Sequence, residues 1–257
     1  MKNKTVFDFY KNIKDFKFKN SNMEKSLNLW RKIFFKEYPR FKEILLPIPK
    51  VKRFDIFQSL LERKSHRNFV NGSASLNDLS LLLYFSCGIK SVEFSNISER
   101  VANYNYFFNS RMYPSGGARF PLEVYLVLFK KIDKIECGVY HYNVKRHSLI
   151  KIKKGRFKKT IKDKILLPVN KKMIKNSLFY ICVSSYFGRS FIKYGELSLI
   201  LSLIEAGHLG QNLCLLSTVL NLGCCPIHGF YEDEVNKLLD LNSDVEEIIY
   251  SFIFGRV

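Results

Sequence analysis

Lys193 and Tyr194, followed by Gly195-Glu196 at the entrance to a long apolar run, are of types suited to proton transfer. An amine beside an apolar surface loses solvation, which disfavours its charged form and makes it usable as a base; a phenol can donate or relay a proton. A Lys-Tyr pair that only caps a helix is commoner than a catalytic one, so the residues alone leave both readings open. A second grouping, Arg63-Lys64-Ser65-His66-Arg67, packs cations around a hydroxyl. A phosphate wants bidentate guanidinium donors plus a short hydroxyl, and Arg63, Ser65 and Arg67 supply them, although a solvated turn has the same composition. In Pro114-Ser115-Gly116-Gly117-Ala118-Arg119-Phe120-Pro121, two glycines let backbone N–H groups approach a planar or anionic ligand. Taken alone, that loop reads as a tight turn.

Elements of both kinds must position these residues. Phe57 to Leu61 has helical spacing just before the cationic run, and Leu76 to Phe85 has it after Ser75, a suitable cap. Leu122 to Phe129, Gly138 to Tyr142, Ser148 to Ile152, Leu178 to Ser184 and Glu246 to Phe254 read as strands. Glu196 to Leu220 is the longest helical pattern and apolar nearly all round, which predicts burial on every side, His208 included, with Gly223 ending it. Glu232 to Leu239 opens with three acidic residues, the sign a helix N-terminus favours. Strands and helices interleave without strict βαβ alternation, so the expected class is α+β. Residues 1–55 read as a basic leader, with Leu27, Trp30, Ile33 and Phe34 at helical spacing; residues 56–257 form the main domain.

The formal charge is +19, but the lysines are scattered through an Asn-, Ile- and Phe-rich chain, as AT-rich coding produces. No RNA-binding aromatic motif, zinc-finger spacing or basic heptad helix accompanies them, so a specific nucleic-acid partner is not expected. The six cysteines form no C-x-x-C pair and read as small core residues; Cys224 and Cys225 are adjacent, a poor disulfide geometry, and no metal is expected. The first residues are too charged for a signal peptide, and Glu205, His208 and Gln211 interrupt the apolar run short of a bilayer span. A cytoplasmic location is expected.

In chain order, these segments resemble those of the SagB-type dehydrogenases, nitroreductase-fold enzymes that oxidise thiazoline and oxazoline rings in modified peptides. The likeness runs from about Trp30 to Val257. In that family an Arg-x-Ser-x-Arg/Lys run holds flavin mononucleotide (FMN), which makes Arg63, Ser65 and Arg67 cofactor ligands. The Pro-Ser-(Gly/Ala)-Gly-Ala-x-x-Pro-Leu-Glu signature contacts the flavin, so Pro114, Ser115, Gly116 and Gly117 join them. Ala206-Gly207-His208-Leu209-Gly210-Gln211-Asn212 matches an Ala-Gly-His-x-x-Gln-Asn segment in dimer and cofactor surroundings, which adds Gln211. Pro226-Ile227-His228-Gly229-Phe230 matches a turn whose backbone meets the isoalloxazine, here with His228 in place of a glycine, and Arg256 matches a terminal Arg that reaches the phosphate. Lys193 and Tyr194 match the catalytic pair. Relatives then often carry Arg-Gly-Tyr-Arg, where this chain has Leu197-Ser198-Leu199-Ile200.

The resemblance therefore implies a nitroreductase-like homodimer with a mixed central sheet flanked by helices and with FMN. Its substrate would be an azoline-containing precursor peptide, delivered by a cyclodehydratase complex. Two other classes stay open: a nicotinamide-dependent reductase of nitro, enone or quinone compounds, and a non-catalytic subunit of a peptide-modifying complex.

Overall fold

The computed structural model describes residues 35–50, 54–90 and 110–257, with Asp8 alone ahead of them. The helix expected over Leu27 to Phe34 lies outside these residues. Seven strands, β1 (Glu43–Leu45), β2 (Leu122–Leu128), β3 (Gly138–Asn143), β4 (Ser148–Lys154), β5 (Phe179–Tyr186), β6 (Leu222–Ile227) and β7 (Glu246–Arg256), form one sheet in the order β1-β4-β3-β2-β5-β7-β6. The strand ladders are antiparallel, and a parallel bridge from Ser65 to Cys224 on the β6 edge makes the sheet mixed.

Both faces of this sheet are covered, which is why β2 and β5 are almost continuously apolar. Along β2, Val124, Leu126 and Leu128 enter one core with Leu79 and Leu82 of α2 (Leu76–Cys87) and Leu209 and Leu213 of a long helix. The intervening Tyr125 and Val127 enter a second core with Ile161, Ile165, Val235 and Leu239. The period-2 side-chain alternation of a strand distributes them to the two layers. Truncating one of the fully buried leucines, such as Leu126→Ala, would cost about 2–5 kcal/mol.

Local chemistry sets the helix ends. Asp55 caps α1 (Ile56–Glu62), accepting from the Phe57 amide at 2.8 Å. Ser75 and Asp78 form a reciprocal capping box on α2, each bond 3.0 Å. The region after β5 holds two helices, α3 (Gly188–Tyr194) and α4 (Leu197–Val219), and α5 (Glu232–Leu239) follows β6.

Three expectations need correction. First, α4 is not buried on every side: Leu203 and Ile204 are about half exposed, and Gly207, His208 and Gln211 are exposed along the same stripe. An all-round apolar sequence cannot say which face lacks a neighbour. At 23 residues α4 is also long and apolar enough to cross a bilayer by length and composition, so Glu205, His208 and Gln211 do not cut it short. Second, Gly223 does not end the helix; Asn221, in the left-handed region at φ 54°, makes the turn, and Gly223 lies inside β6. Third, the turn expected over Pro226 to Phe230 begins only after Ile227, because Pro226 and Ile227 pair with Phe252 and Ser251 of β7.

Candidate active site

Lys193 and Tyr194 end α3, and both side chains fold back over Gly117. A methyl placed on Gly117 would sit 2.7 Å from Lys193 Nζ and would collide with Tyr194 Oη. Gly117 also has φ 57°, so any other residue there would be strained as well as obstructed. The structure thus brings together the Lys-Tyr pair and the Ser115–Gly117 loop, 76 residues apart in sequence at Gly117 and Lys193. Both side chains are half-buried, and Lys193 Nζ lies 5.3 Å from the Tyr194 ring centre.

Buried charges fix this corner. Glu123 in β2 pairs with Arg189 of α3 through Oε1 and with His141 of β3 through Oε2, the latter at 2.6 Å. Arg189 Nη1 also donates to the Phe120 carbonyl at 3.0 Å, and Arg119 Nε donates to the Arg189 carbonyl at 2.7 Å. The loop leaving Gly117 and the helix carrying Lys193 are therefore stitched to each other and to the sheet. Burial by itself would raise the Glu123 carboxyl, but the Arg189 guanidinium and the His141 hydrogen bond outweigh it and hold it well below the usual range.

Beneath the loop, Glu205 of α4 accepts from the Ser115 hydroxyl at 2.8 Å and the Gly116 amide at 3.0 Å. Ser115 Oγ in turn accepts from the Phe120 amide at 2.8 Å, which closes the loop on itself. Asn212 ties α4 to the carbonyls of Ser86 and Met112 at 3.2 and 2.9 Å. None of Glu123, Arg189 and Glu205 was assigned a role from sequence. The available signal was a carboxylate or guanidinium inside an apolar element, which must find a partner when buried.

The cationic run lies elsewhere, along the β6 edge. The His66 amide donates to the Cys224 carbonyl at 2.9 Å, Arg63 is half-buried and Arg67 exposed. Cys214 and Cys224 lie beneath this run with sulfurs 3.9 Å apart. The bond from Cys224 and the nearby Arg63 charge lower the Cys214 thiol against the effect of burial. Arg256 Nε donates to the Ser73 carbonyl at 2.7 Å, Nη1 to the carbonyls of Leu220 and Asn221 at 2.9 and 3.0 Å, and Nη2 to Asp78 at 3.0 Å. His228 is exposed and stacks on Phe230 at 5.3 Å, while the Gly229 carbonyl accepts from Asn170 and Leu167. Gln211 and Pro114 are exposed, and Ile227 is buried at the end of β6.

Two groups emerge among the expected residues: Lys193 and Tyr194 with Ser115–Gly117, and Arg63, Ser65 and Arg67 with Arg256. The described contacts tie Gln211, Ile227, His228 and Gly229 to neither. Glu205 marks one group and the Leu220 carbonyl the other, fifteen residues of helix apart, roughly 22 Å at the α-helical rise.

Residues 60–256 match the description "Nitroreductase family". The chain belongs to that family. It is 26% identical over 197 residues to a nitroreductase of Methanocaldococcus jannaschii, covering 76% of this chain and 89% of that one. Over 146 residues it is 33% identical to the trifolitoxin-processing protein TfxB of Rhizobium leguminosarum bv. trifolii, covering 56% of this chain and 39% of TfxB. Among solved structures, the E. coli microcin synthetase McbBCD complex with truncated pro-MccB17 bound aligns with a TM-score of 0.61 at 18% identity, covering 98% of this chain and 92% of that chain. Nitroreductase architecture is therefore shared by proteins whose descriptions concern peptide processing.

Proposed function

We propose that this nitroreductase oxidises thiazoline or oxazoline rings in a ribosomally made peptide to thiazole or oxazole, with FMN as cofactor. One observation carries the reading: Lys193 Nζ and Tyr194 Oη converge over Gly117, in a loop whose glycines let a planar ligand approach its backbone. The similarity to TfxB and to the McbBCD complex supports a peptide substrate, and a cyclodehydratase complex would supply its azoline rings.

The residues fit FMN. The missing Cβ of Gly117 lets Lys193 Nζ and Tyr194 Oη close on the loop backbone, and Arg63, Ser65 and Arg67 offer guanidinium and hydroxyl donors for its phosphate. Arg256 holds the edge on which they stand and, among the described residues, has one of its five N–H donors left for the same phosphate. Pro114, Ser115, Gly116, Gln211, Ile227, His228 and Gly229 complete the assigned set. When bound, FMN would supply the acceptor for one hydride, which carries both electrons of the oxidation. Lys193 removes the proton from the adjoining ring carbon, Tyr194 orients the amine, and the Glu123–Arg189 pair keeps α3 in place. Aromatisation thus removes one proton and one hydride from the ring.

We assign the active form as a homodimer. The phosphate donors and the Lys-Tyr pair stand at opposite ends of α4, and the exposed stripe from Leu203 to Gln211, with Phe57 and Leu61 of α1, offers an apolar face to a second copy. The reducing cytoplasm is the matching compartment for a chain with five of its six free thiols buried.

The test is Lys193→Ala assayed on a synthetic thiazoline peptide. Turnover should fall by about 10²–10⁴-fold while FMN stays bound. A wild-type rate overturns the assignment. Likeness to the M. jannaschii nitroreductase favours a second reading, nicotinamide-driven reduction of nitro compounds. Rapid NADPH-dependent reduction of a nitroaromatic, with the thiazoline untouched, would establish it instead. FMN failing to bind at all would favour a non-catalytic subunit.

A further inference from the structure

The Glu205 carboxyl is only 3% exposed, in a helix otherwise apolar at that level. Its Oε1 takes both the Ser115 hydroxyl and the Gly116 amide, whereas Oε2 is equally buried and has no partner among the described residues. A buried carboxyl with one bare oxygen costs stability, and a leucine would fill the same space without that cost. We propose that Glu205 is the positioning residue of this site: by gripping Ser115 and Gly116 it sets where Gly117 lies beneath the Lys193 amine and the Tyr194 phenol. The inference rests on the reading that this corner carries the chemistry.

The grip is sensitive to pH. From the segment ahead of the loop, Arg111 and Tyr113 face the carboxyl, with Arg111 hydrogen-bonded to the Tyr113 hydroxyl at 3.3 Å. Lys193 and Tyr194 lie across Gly117, and Leu201 and Leu209, one turn away on α4, are apolar. Burial pushes the carboxyl up to about 7, against the opposing pull of Ser115, Gly116 and Arg111. Both protonation forms are therefore populated near neutrality. The ionised form makes charge-assisted bonds, roughly twice as strong as neutral ones, so the loop is held more tightly as pH rises.

The test follows the Gly116 amide in the full chain labelled with 15N-glycine. Its signal is identified by its loss in Gly116→Ala, a substitution with no neighbour closer than Leu201 at 3.4 Å. In the wild type the signal should move with pH about a midpoint near 7, and in Glu205→Gln it should not move over that range. On the thiazoline peptide, Glu205→Gln should lower kcat about tenfold at unchanged KM, the signature of lost positioning rather than lost binding. A wild-type signal without this midpoint, or the same midpoint in Glu205→Gln, overturns the inference. Glu205→Asp guards against a misfolded glutamine variant: it retracts the carboxyl by one methylene, and an unchanged titration of Gly116 there also overturns it. The amide titration needs neither flavin nor substrate. Titration in a protein that leaves the thiazoline untouched sinks the functional reading alone; a static amide in an active enzyme sinks this inference alone.

Discussion

The two ends of α4 use charge in opposite ways. Near its start, buried Glu205, Glu123, Arg189 and Arg119 all act on backbone or on one another, and the side chains left half-exposed are Lys193 and Tyr194. At its finish, Arg256 is the fastener, capping the last carbonyls of α4 and binding the Asp78 that caps α2, while Arg67 stands exposed in the segment along the β6 edge. Residue type does not separate the two roles. Pairing does: Arg256 spends most of its donors on Ser73, Leu220, Asn221 and Asp78 and so fixes geometry, whereas exposed Arg67, with a 3.5 Å bond to the Ser65 carbonyl, keeps capacity for a ligand.

The sharpest way to break this comparison is to remove a fastener at the Lys193 corner. Glu123→Ala leaves the Arg189 guanidinium and His141 buried without their carboxylate, a loss of about 3–5 kcal/mol. Thermal denaturation should show a melting temperature lower by roughly 10 °C, given about 2–4 °C per kcal/mol for a domain of this size. A shift within 2 °C, an order-of-magnitude allowance on the same scale, would mean that the corner is not clamped as described.

A smaller contrast separates Arg256 from Arg67. Arg256→Ala removes charge-assisted bonds to Asp78 and two helix-end carbonyls, costing about 1.5–3 kcal/mol before any flavin is added. Arg67→Ala should leave the melting temperature of the flavin-free protein unchanged yet weaken FMN binding about tenfold, as read by flavin fluorescence titration. Equal effects of both substitutions on the flavin-free protein would erase the distinction between fastener and ligand.

Much of this was legible in the sequence, and the gaps have physical causes. The strand periods of Leu122 to Leu128 and Phe179 to Tyr186, the Ser75 cap and the acidic start of α5 are local signals, and they form as expected. The strands β1 and β6 were not legible. Three residues at Glu43–Leu45 carry no period, and the two cysteines and Pro226 of β6 pair with β7 for reasons that lie in β7. The motif around Pro121-Leu122-Glu123 marked a special segment, but not that its glutamate would hold the helix of Lys193 from 66 residues before Arg189. Helix α4 misled because hydrophobicity all round reports a need for neighbours without saying which chain supplies them.

The smallest effect bears on Glu205, whose cost should be visible in stability even without ligand. Burial raises its folded-state value to about 7, against the usual 4.5, so the folded chain holds this proton more firmly than the unfolded chain. Stability from this group is therefore fully present below the unfolded value and is lost as pH rises through the folded one. Between pH 6 and 8 the loss amounts to about 1 kcal/mol, or roughly 2–4 °C in melting temperature. Glu205→Gln has no proton to lose and should not contribute this fall, so the wild-type melting temperature should drop relative to the variant's as pH rises from 6 to 8. Parallel curves across that range would mean that the carboxyl does not titrate between pH 6 and 8, against the value its burial gives it.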